Sequence, residues 1–237
     1  MRNIAIIGAS GGIGRAATEL LIADDSCTKI YAISRSGNVP IHKKITGVQA
    51  DITDEVQIHQ VVQAIDVPLH GILCTVGILH DKAHNTMPEK SLRDLDADAL
   101  ATTFMVNTIG VSLVMKHFLP LVPKNEASVF AALSARVGSI SDNQLGGWYG
   151  YRASKAALNM MIKCAAIEMA RKYKYASIIS LHPGTVDTGL SKPFQTHVKH
   201  DIFTPQQSAH HMLRVMRNVT PEQSGLCFAW DGSIITP

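Results

Sequence analysis

Near the start of the chain an apolar run, Ile4-Ala5-Ile6-Ile7, passes directly into Gly8-Ala9-Ser10-Gly11-Gly12-Ile13-Gly14. That junction constrains the fold more than any other stretch. A short apolar run ending on glycine predicts a strand buried on both faces, as in a parallel sheet. Residues 13–23 then place apolar side chains at helical spacing. Glycines at 8, 12 and 14 let the backbone turn sharply from strand into helix, and the helix N-terminus aims free N–H groups at whatever lies above the turn. The spacing is GxxxGxG rather than the commoner GxGxxG. Between a buried strand and an amphipathic helix it predicts a cradle for a pyrophosphate, with Gly8, Ser10, Gly12, Ile13 and Gly14 against the ligand. The plainer alternative is a glycine-rich turn that serves helix packing alone.

The rest of the chain repeats the alternation. Strands are expected at residues 29–34, 45–50, 69–76, 127–134, 176–182 and 226–230. Helices are expected at 55–65 (capped by Thr53 or Asp54), at 96–122 with a possible interruption, at 148–173 and at 205–219. Strands alternating with helices of this length imply an α/β fold. It is a Rossmann-type, doubly wound, mainly parallel seven-stranded sheet with helices on both faces. With 237 residues and 46% hydrophobic content, about 70% of the unfolded chain's surface can be buried. Residues 1–237 are therefore read as a single domain. The segment 189–203 has no clear periodicity and is the candidate for a mobile lid.

Composition excludes several function classes. Net charge is only +3 and aromatic residues make up 5%, which is too little for a nucleic-acid surface built on basic patches and stacking. The eleven histidines, His197, His200 and the His210-His211 pair among them, form neither an HExxH nor a zinc-finger arrangement, so no metal is expected. Cys27, Cys74, Cys164 and Cys227 are widely separated and predict free thiols in a reducing compartment. No apolar run approaches the ~18 residues of a membrane span. A cytoplasmic protein without a membrane partner is the default expectation.

The second strand ends Ser34-Arg35-Ser36 with no carboxylate. An acidic residue there suits the ribose hydroxyls of NAD, whereas a basic one accommodates a 2′-phosphate. Ser34 and Arg35 therefore point to NADP(H) over NAD, unless Arg35 is simply a solvated loop arginine. Asp51, followed by Ile52, either accepts from the adenine amino group or caps the helix that begins near Asp54.

Tyr151 and Lys155 stand four residues apart at the start of a long helix and share one face of it. A free phenol is only ~0.1% ionised at neutral pH. A neighbouring ammonium favours the phenolate. Moving the phenol to about 7.5 would take ~3.4 kcal/mol of differential stabilisation, which is within reach of one close cation plus a helix N-terminus. Such a tyrosine is a general acid toward a carbonyl oxygen. Tyr149 has no such partner, because position 153 is alanine.

These residues together resemble the short-chain dehydrogenase/reductase family, in its compact single-domain form, nearly from end to end. The matching positions are Gly8, Gly12, Gly14, Asp51, Gly77, Asn107, Ser134, Tyr151, Lys155 and the run Pro183-Gly184-Thr185-Val186-Asp187-Thr188. Residues 134–158 are most similar to the branch containing the C-factor signalling protein and sniffer-type carbonyl reductases. The resemblance implies that Tyr151 is the acid/base, that Lys155 lowers its pKa and holds the nicotinamide ribose, and that Ser134 binds the substrate oxygen. It implies that Asn107 holds a water in a relay to Lys155, and that Pro183, Gly184, Val186 and Thr188 line the nicotinamide end. The implied activity is NADP(H)-dependent hydride transfer to a small carbonyl compound, or from the matching alcohol. The implied assembly is a homodimer or homotetramer. The alternative is a nucleotide-binding signalling protein with incidental catalysis.

Three positions depart from the family pattern. Ile7 stands where a threonine is common. Cys74-Thr75-Val76-Gly77 replaces Asn-Asn-Ala-Gly, which puts the bracing of the sheet in question. Ser134 lies seventeen residues before Tyr151, about four more than usual, so Ser139 and Ser141 are rivals for its role.

Overall fold

The computed structural model describes residues 1–81, 87–196 and 201–237. Its strands are β1 (Asn3–Ile7), β2 (Lys29–Ser34), β3 (Ile45–Gln49), β4 (Gly71–Cys74), β5 (Ser128–Leu133), β6 (Ala176–His182), β7 (Cys227–Ala229) and β8 (Ile234–Ile235). They form one sheet in the order β3-β2-β1-β4-β5-β6-β7-β8. The first seven run parallel, and β8 is antiparallel to β7. The sheet thus has eight strands rather than the expected seven. The eighth is two residues long, too short to leave any alternating pattern in the sequence.

The helices are α1 (Gly12–Ile22), α2 (Glu55–Gln63), α3 (Ala97–Phe104), α4 (Val111–Phe118), α5 (Tyr149–Met169) and α6 (Pro205–Asn218). The central strands are buried on both faces, which is why they read as unbroken apolar runs. On one face Val114, Phe118, Leu158 and Ile162 pack against Ile72, Phe130 and Ile178. On the other, Leu21, Met212 and Met216 pack against Ile6, Ala32 and Ile179. The four cysteines are free, and only Cys164 is exposed.

Two expectations are refined. Asp54, not Thr53, caps α2, its carboxylate accepting from the N–H groups of Val56 at 2.9 Å and Gln57 at 3.2 Å. The helix expected at 96–122 is interrupted: a π-helical turn, Met105–Gly110, separates α3 from α4 and carries the buried Asn107. Residues Ala97–Leu121 together form a helical stretch long and apolar enough to cross a membrane by length and composition, although no uninterrupted apolar run marks it. Their apolar side chains Val111, Val114 and Phe118 belong to the core between sheet and α5.

Strand order reverses between β2 and β4, on either side of β1. In an open parallel sheet that switch point leaves a crevice beyond the carboxyl ends of the strands. Gly8 follows β1, Thr75 follows β4 and Ser134 follows β5, so all three stand at that edge.

Candidate active site

Two cavities open along this edge and share Thr75-Val76-Gly77 as a common wall. The larger, about 500 Å³, is lined by Gly8, Ser10, Ser34, Arg35, Asp51 and Ile52. The smaller, about 330 Å³, holds Ser134, Tyr151 and Lys155 together with Ile13 and Gly14. Pro183, Gly184, Val186 and Thr188 close its far side. Of the expected site residues, only Gly12 and Asn107 line neither cavity.

The glycine turn is shaped by contact. Gly8 has φ +91°, and a Cβ there would lie 2.5 Å from Thr75 Oγ1; a Cβ on Gly14 would lie 2.3 Å from the Gly8 carbonyl oxygen. Gly12 makes room instead for Thr188, whose methyl would be 2.7 Å from an added Cβ. The N-cap of α1 is Gly11, which has no side chain to satisfy the first N–H groups, and no acidic residue occupies the first turn. That end suits an anion. The bracing left in question by Cys74-Thr75-Val76-Gly77 is supplied by Thr75, whose hydroxyl donates to the carbonyls of Ile7 at 3.0 Å and Gly8 at 3.2 Å.

At the other end of the larger cavity, the buried Ser34 hydroxyl has no hydrogen-bond partner among the described residues. Arg35 is exposed beside it, and no described carboxylate pairs with it. A buried hydroxyl and an unpaired guanidinium at a cavity rim are the chemistry that holds a phosphate. Asp51 accepts from the backbone N–H of Thr53 at 2.9 Å and from its hydroxyl at 2.8 Å, both at Oδ1. The capping alternative for Asp51 is therefore not realised, since Asp54 caps α2.

In the smaller cavity Ser134 Oγ is buried and lacks a partner among the described residues. Its rivals are engaged elsewhere. Ser139 Oγ accepts from the Asp142 N–H at 3.1 Å, and Ser141 Oγ donates to the Pro237 carbonyl at 2.5 Å. Neither lines the cavity. An orphaned buried hydroxyl is costly, and its cost is recovered when a ligand oxygen arrives.

Lys155 is buried, and its Nζ donates to the Leu133 carbonyl at 2.8 Å. It lies 5.8 Å from the centroid of the Tyr151 ring. Burial pulls the Lys155 ammonium down to about 8. Desolvation pushes the Tyr151 phenol up to about 12. This corrects the expected depression of the tyrosine toward neutrality: the ammonium is bound to a backbone carbonyl, and loss of water around the phenol outweighs its influence. The ring itself keeps partial exposure on the cavity side, so the shift reflects a dry site rather than a sealed one.

Asn107 sits behind this group. Its Oδ1 accepts from the Ile78 N–H at 2.8 Å, and its Nδ2 donates to the Ile78 carbonyl at 2.9 Å and to Ser154 Oγ at 3.1 Å. Ser154 in turn donates to the Tyr151 carbonyl at 2.9 Å. Asn107 thus ties the loop after β4 to the first turn of α5. Both Nδ2 hydrogens are spent, so Asn107 can hold a relay water only as an acceptor.

Trp148, which no sequence signal marks, lines the same cavity, as do Leu190 and Phe194 of the segment 189–203. The Trp148 ring stands edge-on to Tyr151 at 6.3 Å and to Phe194 at 5.2 Å. Phe194 belongs to the segment expected to form a lid. That segment is anchored at its root by Phe203, whose N–H donates to the Thr185 carbonyl and whose carbonyl accepts from the Asp187 N–H, both at 2.8 Å. His197, His200 and residues 198–199 of the expected lid lie outside the described residues.

A dinucleotide-type cradle joined to an apolar cavity that holds a serine, a tyrosine and a lysine defines an oxidoreductase of the Rossmann class. Residues 2–199 match the family model for short chain dehydrogenase, and the chain belongs to that family. Among curated relatives, 1-hydroxy-2-glutathionyl-2-methyl-3-butene dehydrogenase of Rhodococcus is 36% identical over 141 residues, covering 60% of either chain. C-signal of Myxococcus xanthus is 34% identical over 143 residues, covering 60% of this chain and 81% of the relative. In solved structures the fold recurs in an NADPH-bound carbonyl reductase from chicken fatty liver (TM-score 0.85, 21% identity, 100% of this chain and 94% of that one). It recurs too in the carbonyl reductase Sniffer of D. melanogaster (TM-score 0.83, 20% identity, 100% of each chain).

Proposed function

We propose that the protein is an NADPH-dependent carbonyl reductase. The observation that carries this reading is the convergence of Tyr151, Lys155 and the unpartnered Ser134 hydroxyl on one apolar cavity that adjoins the glycine cradle. The larger cavity takes the adenosine and phosphates: Gly8, Ser10, Gly12, Ile13 and Gly14 cradle the pyrophosphate, Ser34 and Arg35 hold the 2′-phosphate, and Asp51 and Ile52 border the adenine. Gly77, Pro183, Gly184, Val186 and Thr188 border the nicotinamide end. Bound there, NADPH supplies the hydride.

The chain's own residues supply geometry and a proton. Ser134 donates to the substrate oxygen and holds it beside Tyr151. Tyr151 transfers its phenolic proton to that oxygen as negative charge develops on it. Lys155, fixed by Leu133, stabilises the phenolate that remains. Asn107 keeps α5 in register with the loop after β4. A phenol near 12 is fully protonated at neutral pH, the form needed for reduction, whereas alcohol oxidation needs the scarce phenolate. Trp148, Leu190 and Phe194 give the cavity an apolar, aromatic wall, which suits a carbonyl compound with a hydrophobic body.

The test is the loss of NADPH absorbance when purified protein meets a panel of aldehydes, ketones and quinones. Turnover of several members is expected. Inertness toward all of them, with NADPH bound, contradicts the reading. The likeness to C-signal favours one second reading, a signalling role that needs the bound nucleotide but not turnover. A biological effect surviving Tyr151→Phe would support it.

A further inference from the structure

Trp148 is the one non-glycine among the described residues with a positive φ, at φ 50° and ψ 43°. It follows Gly146 and Gly147, at φ 64° and 65°, so three successive left-handed residues lead into α5. That conformation brings a Cβ too close to the following carbonyl oxygen and is unfavourable for any residue that carries one. Such strain persists only where the surroundings over-determine it. Trp148 is the N-cap of α5 yet has no side-chain acceptor for the helix's first N–H groups. Something else must hold this turn.

Glu89 does so from far along the chain. Its backbone carbonyl accepts from the Trp148 N–H at 2.5 Å, and its carboxylate accepts from the Gly150 N–H at 3.1 Å. Position 150 is shaped for that approach: a Cβ there would lie 2.8 Å from Glu89 Oε1 and 2.9 Å from Leu100 Cδ2. Glu89 is only 7% exposed, and no described cation pairs with it. The residue that follows Gly150 along α5 is Tyr151. The segment of Glu89 itself is held by Asp94, whose Oδ2 accepts from the N–H groups of Lys90 and Ser91.

We propose that Glu89 is a positioning residue for the reduction: it caps α5 through space, holds Trp148 in its left-handed conformation, and thereby fixes the Tyr151 hydroxyl and the aromatic wall against the substrate. The inference rests on the reading of Tyr151 as proton donor. A displacement of about 1 Å at a reacting group can cost of order a hundredfold in rate.

The test compares Glu89→Gln, which keeps an acceptor, with Glu89→Met, which keeps the volume and loses it. The substrate is the carbonyl compound that the wild type reduces fastest. Glu89→Met is expected to lower kcat by about 10- to 100-fold, with KM for NADPH within about 2-fold. Glu89→Gln is expected to restore kcat to within about 3-fold. A folded Glu89→Met with wild-type kcat overturns the inference, as does a loss in kcat that Gln does not repair. Amide exchange on the wild-type protein decides the matter even where Glu89→Met fails to fold: Gly150 and Trp148 N–H groups should be protected well beyond an uncapped helix start. Free exchange at both overturns the proposal. A wild type inert toward every carbonyl while those amides are protected overturns the reductase reading, and the positioning role with it.

Discussion

The ammonium of Lys155 donates to the carbonyl of Leu133 at 2.8 Å, one residue before Ser134 at the end of β5. Helix α5 is thereby pinned to the sheet at the point where substrate would bind, by a cation that is 2% exposed. The same contact that orients Lys155 keeps its charge in a dry place, which is why its ammonium titrates near 8.

That burial has a pH signature in stability. Between about 8 and 10.5 the unfolded chain holds a proton at Lys155 that the folded chain has lost, so folding stability rises with pH across that window. The wild type should gain roughly 2 kcal/mol relative to Lys155→Met between pH 7 and 9.5, by urea unfolding. An equal pH response in both proteins would contradict the burial of a charged lysine.

Ser134 and Ser139 should separate cleanly. Ser134→Ala removes an orphaned hydroxyl, so stability should hold or rise by up to about 1 kcal/mol while kcat/KM falls about a hundredfold. Ser139→Ala strips an acceptor from the Asp142 N–H and should cost about 1 kcal/mol with turnover nearly unchanged. Urea midpoints and steady-state kinetics on both variants check this.

Arg35 should set cofactor choice. Arg35→Ala is expected to weaken NADPH about tenfold and NADH hardly at all, the loss of one charge-assisted contact at an exposed rim. Fluorescence titration with each cofactor measures it.

The two directions of reaction should respond differently to pH. With the phenol up at about 12, ketone reduction should be flat through neutrality. Alcohol oxidation, followed by NADPH absorbance, should rise about tenfold per pH unit below 8, following the phenolate fraction, and level off as Lys155 discharges near 8.

Much of this architecture was legible in the chain because its signals are local. The Ile4–Gly14 junction, the apolar strands and the four-residue interval from Tyr151 to Lys155 each depend on neighbours in sequence. What was not legible depends on distant partners. Thr75 braces the cradle through β1, and Glu89 caps a helix 61 positions away. Trp148 enters the cavity only because two glycines carry the chain through left-handed conformations before it. The tyrosine's direction of shift is not legible for a related reason: spacing places a cation nearby but says nothing of the Leu133 carbonyl that engages it, nor of the lost water. The choice of Ser134 over Ser139 and Ser141 likewise turns on which hydroxyl has no partner among the described residues.

The central claim is that Tyr151 passes a proton to the substrate oxygen within a nucleotide-loaded protein. Tyr151→Phe removes one oxygen atom and leaves the cradle untouched. NADPH should bind this variant with a Kd within about 2-fold of wild type, while carbonyl reduction in a single turnover falls at least about a thousandfold, near the upper reach of a positioned general acid. A folded Tyr151→Phe protein that binds NADPH and reduces the same ketone at close to the wild-type rate would contradict the account.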